Sequence, residues 1–261
     1  MAEFLRCDVN RQIATLTLNR PELHNALNDV FMAEIDEAVR RFGAETGVRA
    51  IVLAAEGKSF CAGADVNWMK RMVGYSVAEN IADAMVLSNM LRRMRECPKP
   101  IIARVHGAAI GGGVGLTAAC DMAVATTAAT FCLSEVRLGI LPAVISPFVT
   151  EKIGLTHARR YALTAERFDG VEAKRIGLVS EAVDTVEALD WWIDQVTTAI
   201  RNNGPAAVAA CKRVLSDIQP FDWDGAQKLT TERLAHIRVS AEGQEGLKAF
   251  LEKRQPGWVA E

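Results

Sequence analysis

The chain has 261 residues, of which 50% are hydrophobic and 24% are charged, and its formal net charge is −2. This length accommodates one large domain or one domain with an appendage. The composition is ordinary for a globular enzyme, and the nearly balanced charge gives no argument for binding to nucleic acid or to an anionic membrane.

In chain order, the first half of the sequence alternates between strand and helix patterns. Strict alternation of side chains predicts a strand over residues 11–19, and Asn28 is typical of the N-cap of a helix that ends near Gly43. The following predicted elements are a buried strand at 48–55, a loop at 57–64, a helix at 77–95, a buried strand at 100–105, a helix beginning at 116, and short strands at 122–125 and 130–133. This order indicates α/β layering.

After about residue 188 the strand patterns end and only helical patterns follow. Helices are predicted at 191–201, 205–216, 223–239 and 243–254, with breaks at Gly204-Pro205 and at Pro220. Their apolar positions exceed what a small helical tail can bury by itself. We therefore predict a core over residues 1–200 and a helical region over residues 201–261 that packs on the core or on a neighbouring subunit.

The cysteine spacing and the N-terminal residues indicate whether the protein binds a metal and in which compartment of the cell it resides. The six cysteines form no C-x-x-C pair, and the four histidines are scattered, so we expect no structural zinc and no other metal. Glu3, Arg6 and Asp8 interrupt any apolar leader segment, and no stretch approaches the ~20 apolar residues of a membrane span. We predict a cytoplasmic protein with no membrane partner. An organellar location after removal of a leader stays open.

Two turns of small residues carry the first functional signal. Residues 109–115 contain three consecutive glycines between a strand pattern and a helix pattern, and residues 60–65 repeat this arrangement about fifty residues earlier. Small residues allow a ligand to approach the backbone closely, and a helix start adds partial positive charge. Two such turns can direct two backbone N–H groups at one carbonyl oxygen that gains negative charge. The pair predicts chemistry on an activated acyl group.

Other interpretations of the glycine turn remain. Residues 113–118 fit G-x-G-x-x-A, with Glu135 about twenty residues later, which is typical of dinucleotide binding. That fingerprint normally lies in the first βα unit, whereas here it lies in mid-chain. A tight turn without a ligand is the third interpretation. Hydrolase chemistry of the Ser-His-Asp type is disfavoured because no G-x-S-x-G motif occurs.

The neighbouring residues in sequence indicate candidate roles for four further residues. Glu135 ends a short apolar strand, so it is either a carboxyl with a raised pKa that exchanges protons or a solvated residue at a helix start. Asp65 follows small residues and is typical of a cap. His24, in a loop that contains proline, indicates exposed polar surface. Trp68 is either part of the core or a wall of an acyl pocket.

Taken together, the motifs resemble those of the crotonase (enoyl-CoA hydratase/isomerase) family. The matching segments are Asn19-Arg20-Pro21, Asn25-Ala26-Leu27, residues 60–65, residues 106–113, Ala119-Cys120-Asp121, residues 134–139 and residues 246–254. They occur in order and span most of the chain. The resemblance implies an α/β fold, a spiral of ββα units, with a C-terminal helical region that builds homotrimers, often paired into hexamers.

The resemblance also implies a substrate and a set of site residues. The substrate is an acyl-CoA thioester, with coenzyme A present only as part of the substrate and with no separate cofactor. The N–H groups of Ala64 and Gly112 form an oxyanion hole, and Glu135 is the catalytic carboxyl. The predicted substrate-binding residues are Leu23, His24, Ala26, Ala62, Asp65, Val66, Trp68, Gly115 and Pro142, together with Phe250 and Lys253, which reach CoA from a neighbouring subunit.

The chain departs from the family pattern at two places. Hydratases of this family typically carry a first glutamate where this chain has Gly115, and a Gly-Gly pair where this chain has residues 141–147, Leu-Pro-Ala-Val-Ile-Ser-Pro. We expect Glu135 to handle protons alone, and we expect Gly115 to leave space that suits a β-branched acyl group. These features look most similar to bacterial methylglutaconyl-CoA hydratases of leucine and isoprenoid breakdown.

The predicted function is an enoyl-CoA hydratase, a lyase that acts on a short or branched 2-enoyl-CoA, with 3-methylglutaconyl-CoA as one substrate to test. A Δ3,Δ2-enoyl-CoA isomerase is the first alternative. A protein that binds acyl-CoA without catalysis is the second.

Overall fold

A computed structural model describes residues 4–218 and 222–259. Residues 1–3, which belong to the segment examined for a leader, and Pro220, the expected break between two helices, lie outside these ranges. Within the described ranges, none of the helices combines the length and the apolar character needed to cross a lipid bilayer.

In the described residues, ten strands form two sheets. The strands are β1 (Leu5–Asn10), β2 (Ile13–Leu18), β3 (Ala50–Ala55), β4 (Ser59–Cys61), β5 (Ile101–Val105), β6 (Ala108–Ile110), β7 (Met122–Thr126), β8 (Thr130–Cys132), β9 (Phe168–Asp169) and β10 (Glu181–Val183). The larger sheet has the spatial order β1-β2-β3-β5-β7-β10, and the smaller sheet has the order β4-β6-β8-β9. From β2 to β10 the larger sheet is parallel, whereas β1 and β2 form an antiparallel hairpin.

Ten α-helices accompany the sheets in the described chain. They are α1 (Asp29–Ala44), α2 (Val66–Met72), α3 (Val77–Glu96), α4 (Gly112–Ala119), α5 (Ser146–Thr164), α6 (Gly170–Arg175), α7 (Val186–Asn202), α8 (Pro205–Asp217), α9 (Trp223–Val239) and α10 (Ala241–Leu251). Two short 3₁₀ helices cover Pro21–Leu23 and Glu135–Leu138.

Local sequence signals account for most of these elements. The Asn28 side chain accepts a hydrogen bond from the Phe31 N–H, which confirms the predicted N-cap of α1. All six residues of β3 are buried, as the apolar run predicted. Helix α5 is absent from the predicted elements because Pro147 and Gly154 interrupt its pattern. Pro147 lies in the first turn, where a helix tolerates it, and Gly154 has a φ of 68° at a kink.

The smaller sheet decides where the loops meet. Strands β4, β6 and β8 are adjacent and parallel, so their carboxyl ends lie along the same edge of the sheet. Each of the three strands has only three residues and leads directly into a turn. The chain segments after residues 61, 110 and 132 are therefore neighbours in space although they are far apart in sequence.

The C-terminal end of the chain is helical, as predicted. The last strand in the described ranges ends at Val183, and α7 to α10 follow it. Helix α7 packs across β3, β5, β7 and β10 of the larger sheet, whereas α8, α9 and α10 pack on one another. A boundary between a core and a helical region at residue 200 stays a prediction.

Candidate active site

Three predicted site residues lie at the shared edge of the smaller sheet. Ala64 follows the end of β4, Gly112 follows the end of β6, and Glu135 follows the end of β8, each within three residues of its strand. Because these strands are parallel neighbours, the fold brings two glycine-containing turns and one carboxyl to the same place.

The two turns touch one another through their glycines. A Cβ atom built on Gly63 would lie 3.2 Å from the carbonyl oxygen of Ile110, and one built on Gly113 would collide with the carbonyl oxygen of Cys61. Gly63 also has a φ of +94°, which side chains rarely allow. The small residues of the two motifs are therefore required for the turns to pack against each other.

Leu27 orients the Ala64 amide. The Leu27 N–H donates to the carbonyl oxygen of Gly63 at 2.7 Å, and the Asp65 N–H donates to the carbonyl oxygen of Leu27 at 2.8 Å. This is a parallel bridge between Leu27 and Ala64, in which the N–H of Ala64 points away from Leu27. The Leu27 side chain also touches the second turn, since a Cβ on Gly112 would lie 3.0 Å from Leu27 Cδ1.

Gly112 is the first residue of α4. Gly111 precedes it with a φ of 51°, and the Gly111 N–H donates to the carbonyl oxygen of Cys132 at 2.8 Å, which ties this turn to the end of β8. The first N–H groups of a helix have no partner within the helix. The N–H of Gly112 is one of these groups, and it lies at the positive end of the α4 dipole.

The carboxyl group of Glu135 lies over this turn. A Cβ on Gly111 would lie 2.9 Å from Glu135 Oε1. The other oxygen, Oε2, is buried and has no hydrogen-bond partner among the described residues. Burial raises the pKa of this carboxyl above its ordinary value, and the backbone N–H of Glu135 itself offsets this only in part. Glu135 does begin a short 3₁₀ helix, as one of the two interpretations predicted, but its buried Oε2 argues against a fully solvated carboxyl.

Asp65 supports the first turn through its side chain. Its carboxylate accepts hydrogen bonds from the N–H groups of Asn67 and Trp68 and so caps α2, as the sequence predicted. Asp65 Oδ2 also lies 3.0 Å from a terminal nitrogen of Arg20, and both side chains are buried. The carboxylate therefore points into the protein, where Arg20 and the start of α2 occupy it.

The loop before α1 is held by polar contacts that the sequence did not reveal. Arg20 donates to the carbonyl oxygen of Ala26 at 3.0 Å, and the buried Asn25 side chain donates to the carbonyl oxygens of Glu56 and Ser59. His24 is exposed, as predicted, and its Nδ1 lies 3.0 Å from the hydroxyl of Ser59. The Arg20–Asp65 pair, 45 positions apart in sequence, leaves no local pattern by which it could have been found.

The remaining predicted residues differ in exposure. Ala62 is half-buried, whereas Leu23, Ala64 and Val66 are exposed on the surface next to the turn, and Ala26 and Pro142 are buried. Trp68 is 7% exposed, and its indole N–H donates to Asp83 at 2.9 Å, which places it in the core. Phe250 lies in the last turn of α10 and is 81% exposed, and Lys253 follows two residues after the end of this helix.

The prediction that Gly115 leaves open space is wrong. A Cβ on Gly115 would collide with Cγ2 of Ile145, and it would lie 3.0 Å from Ile145 Cβ and 3.7 Å from Leu91 Cδ1. The buried Ile145 side chain therefore occupies the volume that a side chain at position 115 would need. The missing glutamate leaves no cavity, because a hydrocarbon side chain from the loop before α5 fills its place.

A well-defined cavity lies away from these residues. It has a volume of about 750 Å³ and lies between α1 and α3, with Met32, Arg40 and Arg93 among its lining residues, and it includes none of Ala64, Gly112 and Glu135. The three predicted catalytic residues thus lie at the edge of the smaller sheet and outside this cavity.

Comparisons with known proteins identify the family and the fold. The family profile described as "Enoyl-CoA hydratase/isomerase" matches residues 8–261. The chain belongs to this family. A solved enoyl-CoA hydratase from Shewanella pealeana is 41% identical, with a TM-score of 0.95 over 98% of this chain and 96% of that one. This similarity confirms the predicted crotonase-like α/β fold, and family membership confirms the prediction of an enzyme.

Relatives of this chain are named for different reactions. A "Short-chain-enoyl-CoA hydratase" from Clostridium acetobutylicum is 31% identical over 94% of this chain and 93% of its own length. A peroxisomal "Delta(3,5)-Delta(2,4)-dienoyl-CoA isomerase" from Arabidopsis thaliana is also 31% identical, over 97% of this chain and 95% of its own length. Overall identity therefore places the chain in the enoyl-CoA hydratase/isomerase family without choosing between the two reactions.

Gly111 allows a test of the site geometry in this family member. If Glu135 is the catalytic carboxyl, we expect Gly111→Ala to lower kcat by at least about tenfold, because the new Cβ displaces that carboxyl and misplacement of a catalytic group costs up to ~100-fold. The control is Gly139→Ala, which introduces a side chain at a similarly positive φ of +73° but meets no atom within 4 Å. Equal kcat values for the two variants would contradict the position of Glu135.

Proposed function

We propose that this protein is an enoyl-CoA hydratase that adds water to the C2=C3 double bond of a short or branched 2-enoyl-CoA. The observation that carries the proposal is the position of Glu135, whose Oε1 lies against Gly111 while its Oε2 is buried and has no hydrogen-bond partner in the part of the chain that the structure describes. A proton-exchanging carboxyl next to two backbone turns is what acid–base chemistry on a bound thioester requires.

In this proposal the thioester oxygen binds between the N–H groups of Ala64 and Gly112. Negative charge builds on that oxygen as the enolate forms, so both hydrogen bonds strengthen in the transition state more than in the bound substrate. Loss of one such donor typically costs ~3 kcal/mol of transition-state stabilisation. The backbone bridge of Ala64 to Leu27 and the position of Gly112 at a helix start support this role.

Glu135 would move both protons of the reaction. It takes a proton from water as the oxygen adds to Cβ, and it then delivers a proton to Cα. The raised pKa supports this role, because a carboxyl that is a stronger base than usual accepts a proton from water more readily. No second carboxyl is assigned, since Ile145 fills the space at Gly115.

The CoA moiety would lie along the surface beside the first turn. In this proposal it contacts the loop from Leu23 to Ala26 together with Ala62, Val66 and the backbone of Asp65. Phe250 and Lys253 would reach it from a neighbouring subunit of a homotrimer or hexamer. Exposed apolar side chains of the C-terminal helices support such an assembly, namely Leu215, Leu247, Phe250 and Leu251. Cytoplasmic location is part of this proposal.

The acyl group we would test first is 3-methylglutaconyl, whose free carboxylate requires a cation. Three cations lie near the site in sequence. Arg71 forms an ion pair with Asp29 at 2.6 Å, and Arg137 donates to the carbonyl oxygen of Ala165 at 2.6 Å. Lys70, next to Arg71 on α2, is exposed. We therefore infer that Lys70 is the first cation to test for recognition of such a carboxylate.

A second candidate function is a Δ3,Δ2-enoyl-CoA isomerase. The filled space at Gly115 favours it, because one carboxyl suffices to carry a proton between Cα and Cγ and no water has to be positioned. The similarity to a named dienoyl-CoA isomerase also supports it.

One experiment separates these functions. The purified protein is mixed with crotonyl-CoA, 3-methylglutaconyl-CoA and a 3-enoyl-CoA, and the absorbance of the conjugated thioester is followed. We expect loss of absorbance on the 2-enoyl substrates and incorporation of heavy oxygen from labelled water at Cβ. Gain of absorbance on the 3-enoyl substrate without oxygen incorporation would establish the isomerase instead. Binding without turnover of any substrate would overturn both and leave a non-catalytic acyl-CoA-binding protein.

A further inference from the structure

Gly111 is the N-cap residue of α4, and Gly115 lies one turn further along this helix. The Gly115 N–H donates to the carbonyl oxygen of Gly111 at 3.1 Å, which is the i to i+4 bond of a helix. The two glycines are therefore separated by about one helical pitch, ~5.4 Å along the helix axis. The Glu135 carboxyl lies over the first glycine and the Ile145 side chain lies over the second. Ile145 therefore packs one turn of α4 further along than the Glu135 carboxyl.

Ile145 is held firmly in this position. It is 2% exposed and directly precedes α5, where its carbonyl oxygen accepts the Val149 N–H at 3.0 Å. The hydroxyl of the next residue, Ser146, donates to the carbonyl oxygen of Pro142 at 2.6 Å and closes the preceding turn. A β-branched side chain next to a helix start has little freedom to move aside.

Two departures from the family motif therefore form one structural unit. Position 115 lacks the glutamate, and the stretch that commonly carries a Gly-Gly pair supplies Ile145, which fills the vacated volume. A glutamate at 115 and an isoleucine at 145 cannot both fit, because even a Cβ at 115 collides with Cγ2 of Ile145.

We propose that Ile145 is a specificity-determining residue, whose side chain forms the wall beside Glu135 against which the β-substituent of the acyl group packs. This inference rests on the proposed function, since it concerns the same thioester site. Hydrocarbon at this wall would accept an apolar substituent and limit its size. One methylene group in such a pocket typically changes selectivity by about 10–200-fold.

The test compares Ile145→Ala with Ile153→Ala, which shortens another buried isoleucine, on the same side of the kink in α5. The kcat/KM values are measured for crotonyl-CoA and for a 2-enoyl-CoA with a propyl group at C3. We expect Ile145→Ala to raise the ratio of the propyl substrate to crotonyl-CoA by about tenfold or more. Ile153→Ala should change both values by one common factor.

Further variants test the same proposal if Ile145→Ala does not fold. Ile145→Val removes one methylene group and should shift the same ratio in the same direction by a smaller factor. Gly115→Ala should lose activity, and the double variant Gly115→Ala with Ile145→Ala should regain it, since the collision is removed.

The two proposals fail in different ways. An unchanged selectivity ratio in both Ile145 variants would overturn the role of Ile145 while the wild-type enzyme still converts its substrates. If the wild-type protein converts none of the enoyl-CoA substrates, the proposed function itself is overturned.

Discussion

Replacing Glu135 by Gln is expected to lower kcat for enoyl-CoA conversion by about 10²–10⁴-fold. The amide has nearly the same shape as the carboxyl, but it can neither accept nor return a proton at the reacting carbons. The N–H groups of Ala64 and Gly112 are untouched, so CoA thioester binding should survive. Turnover is measured with saturating substrate, and binding is measured separately by titration with a non-reactive acyl-CoA.

The matched control is Glu232→Gln, which makes the same chemical change at an exposed position of α9. It should leave kcat unchanged. Near-normal turnover in the Glu135→Gln variant would remove this residue from the mechanism, whichever of the two reactions the enzyme carries out.

The same variant should unfold at a higher temperature than the wild type at neutral pH. The pKa of Glu135 is raised in the folded protein above its ordinary value of 4.5, so its ionisation costs stability as pH rises through the folded pKa. Below 4.5 the carboxyl is protonated in both the folded and the unfolded chain, so this cost disappears. The gain in Tm should therefore be present at neutral pH and vanish in acid. A gain that is independent of pH would contradict the burial of this carboxyl.

Replacing Asp65 by Ala is expected to lower the free energy of unfolding by about 3–5 kcal/mol, because the buried Arg20 guanidinium loses its counter-ion. The α2 cap is lost as well, since Asp65 accepts from two N–H groups at the helix start. The neighbouring Ala64 amide loses its support, so kcat should fall too. Unfolding in denaturant and turnover below the unfolding transition measure the two effects.

Asp169→Ala is the control for this variant. Asp169 caps α6 through the Glu172 N–H but is exposed, so its loss should cost only about 0.5–2 kcal/mol. If both alanine variants lost the same stability, the buried ion pair would contribute nothing beyond the cap.

The pH dependence gives an independent check of the Asp65 contribution. Burial opposes ionisation of the Asp65 carboxyl, but the Trp68 and Asn67 amides and the Arg20 guanidinium outweigh it and hold its pKa below the ordinary 3.8. A carboxyl with a lowered folded pKa contributes its full stability above 3.8 and loses it as pH falls through the folded value. The difference between wild type and Asp65→Ala should therefore shrink only in strong acid.

Several elements could be predicted because their signals are local. The alternation in β2, the Asn28 cap of α1 and the apolar run of β3 each lie within a few consecutive residues. Strand β1 was missed because five of its six residues are exposed and show no apolar alternation. Strands β4 and β6 have three residues each, which is too short for a periodic pattern, so β4 was predicted as part of a loop.

The sequence by itself determined the family, the glycine turns and the one carboxyl between apolar neighbours, because these are properties of residue type and spacing. Only the tertiary structure decided which other residues lie next to these turns and this carboxyl. The parallel sheet of β4, β6 and β8 brings the three turns to one edge, and Arg20 pairs with Asp65 across 45 positions. Ile145 fills the space at Gly115 because close packing admits any side chain of suitable shape from any part of the chain, and sequence spacing carries no record of that contact.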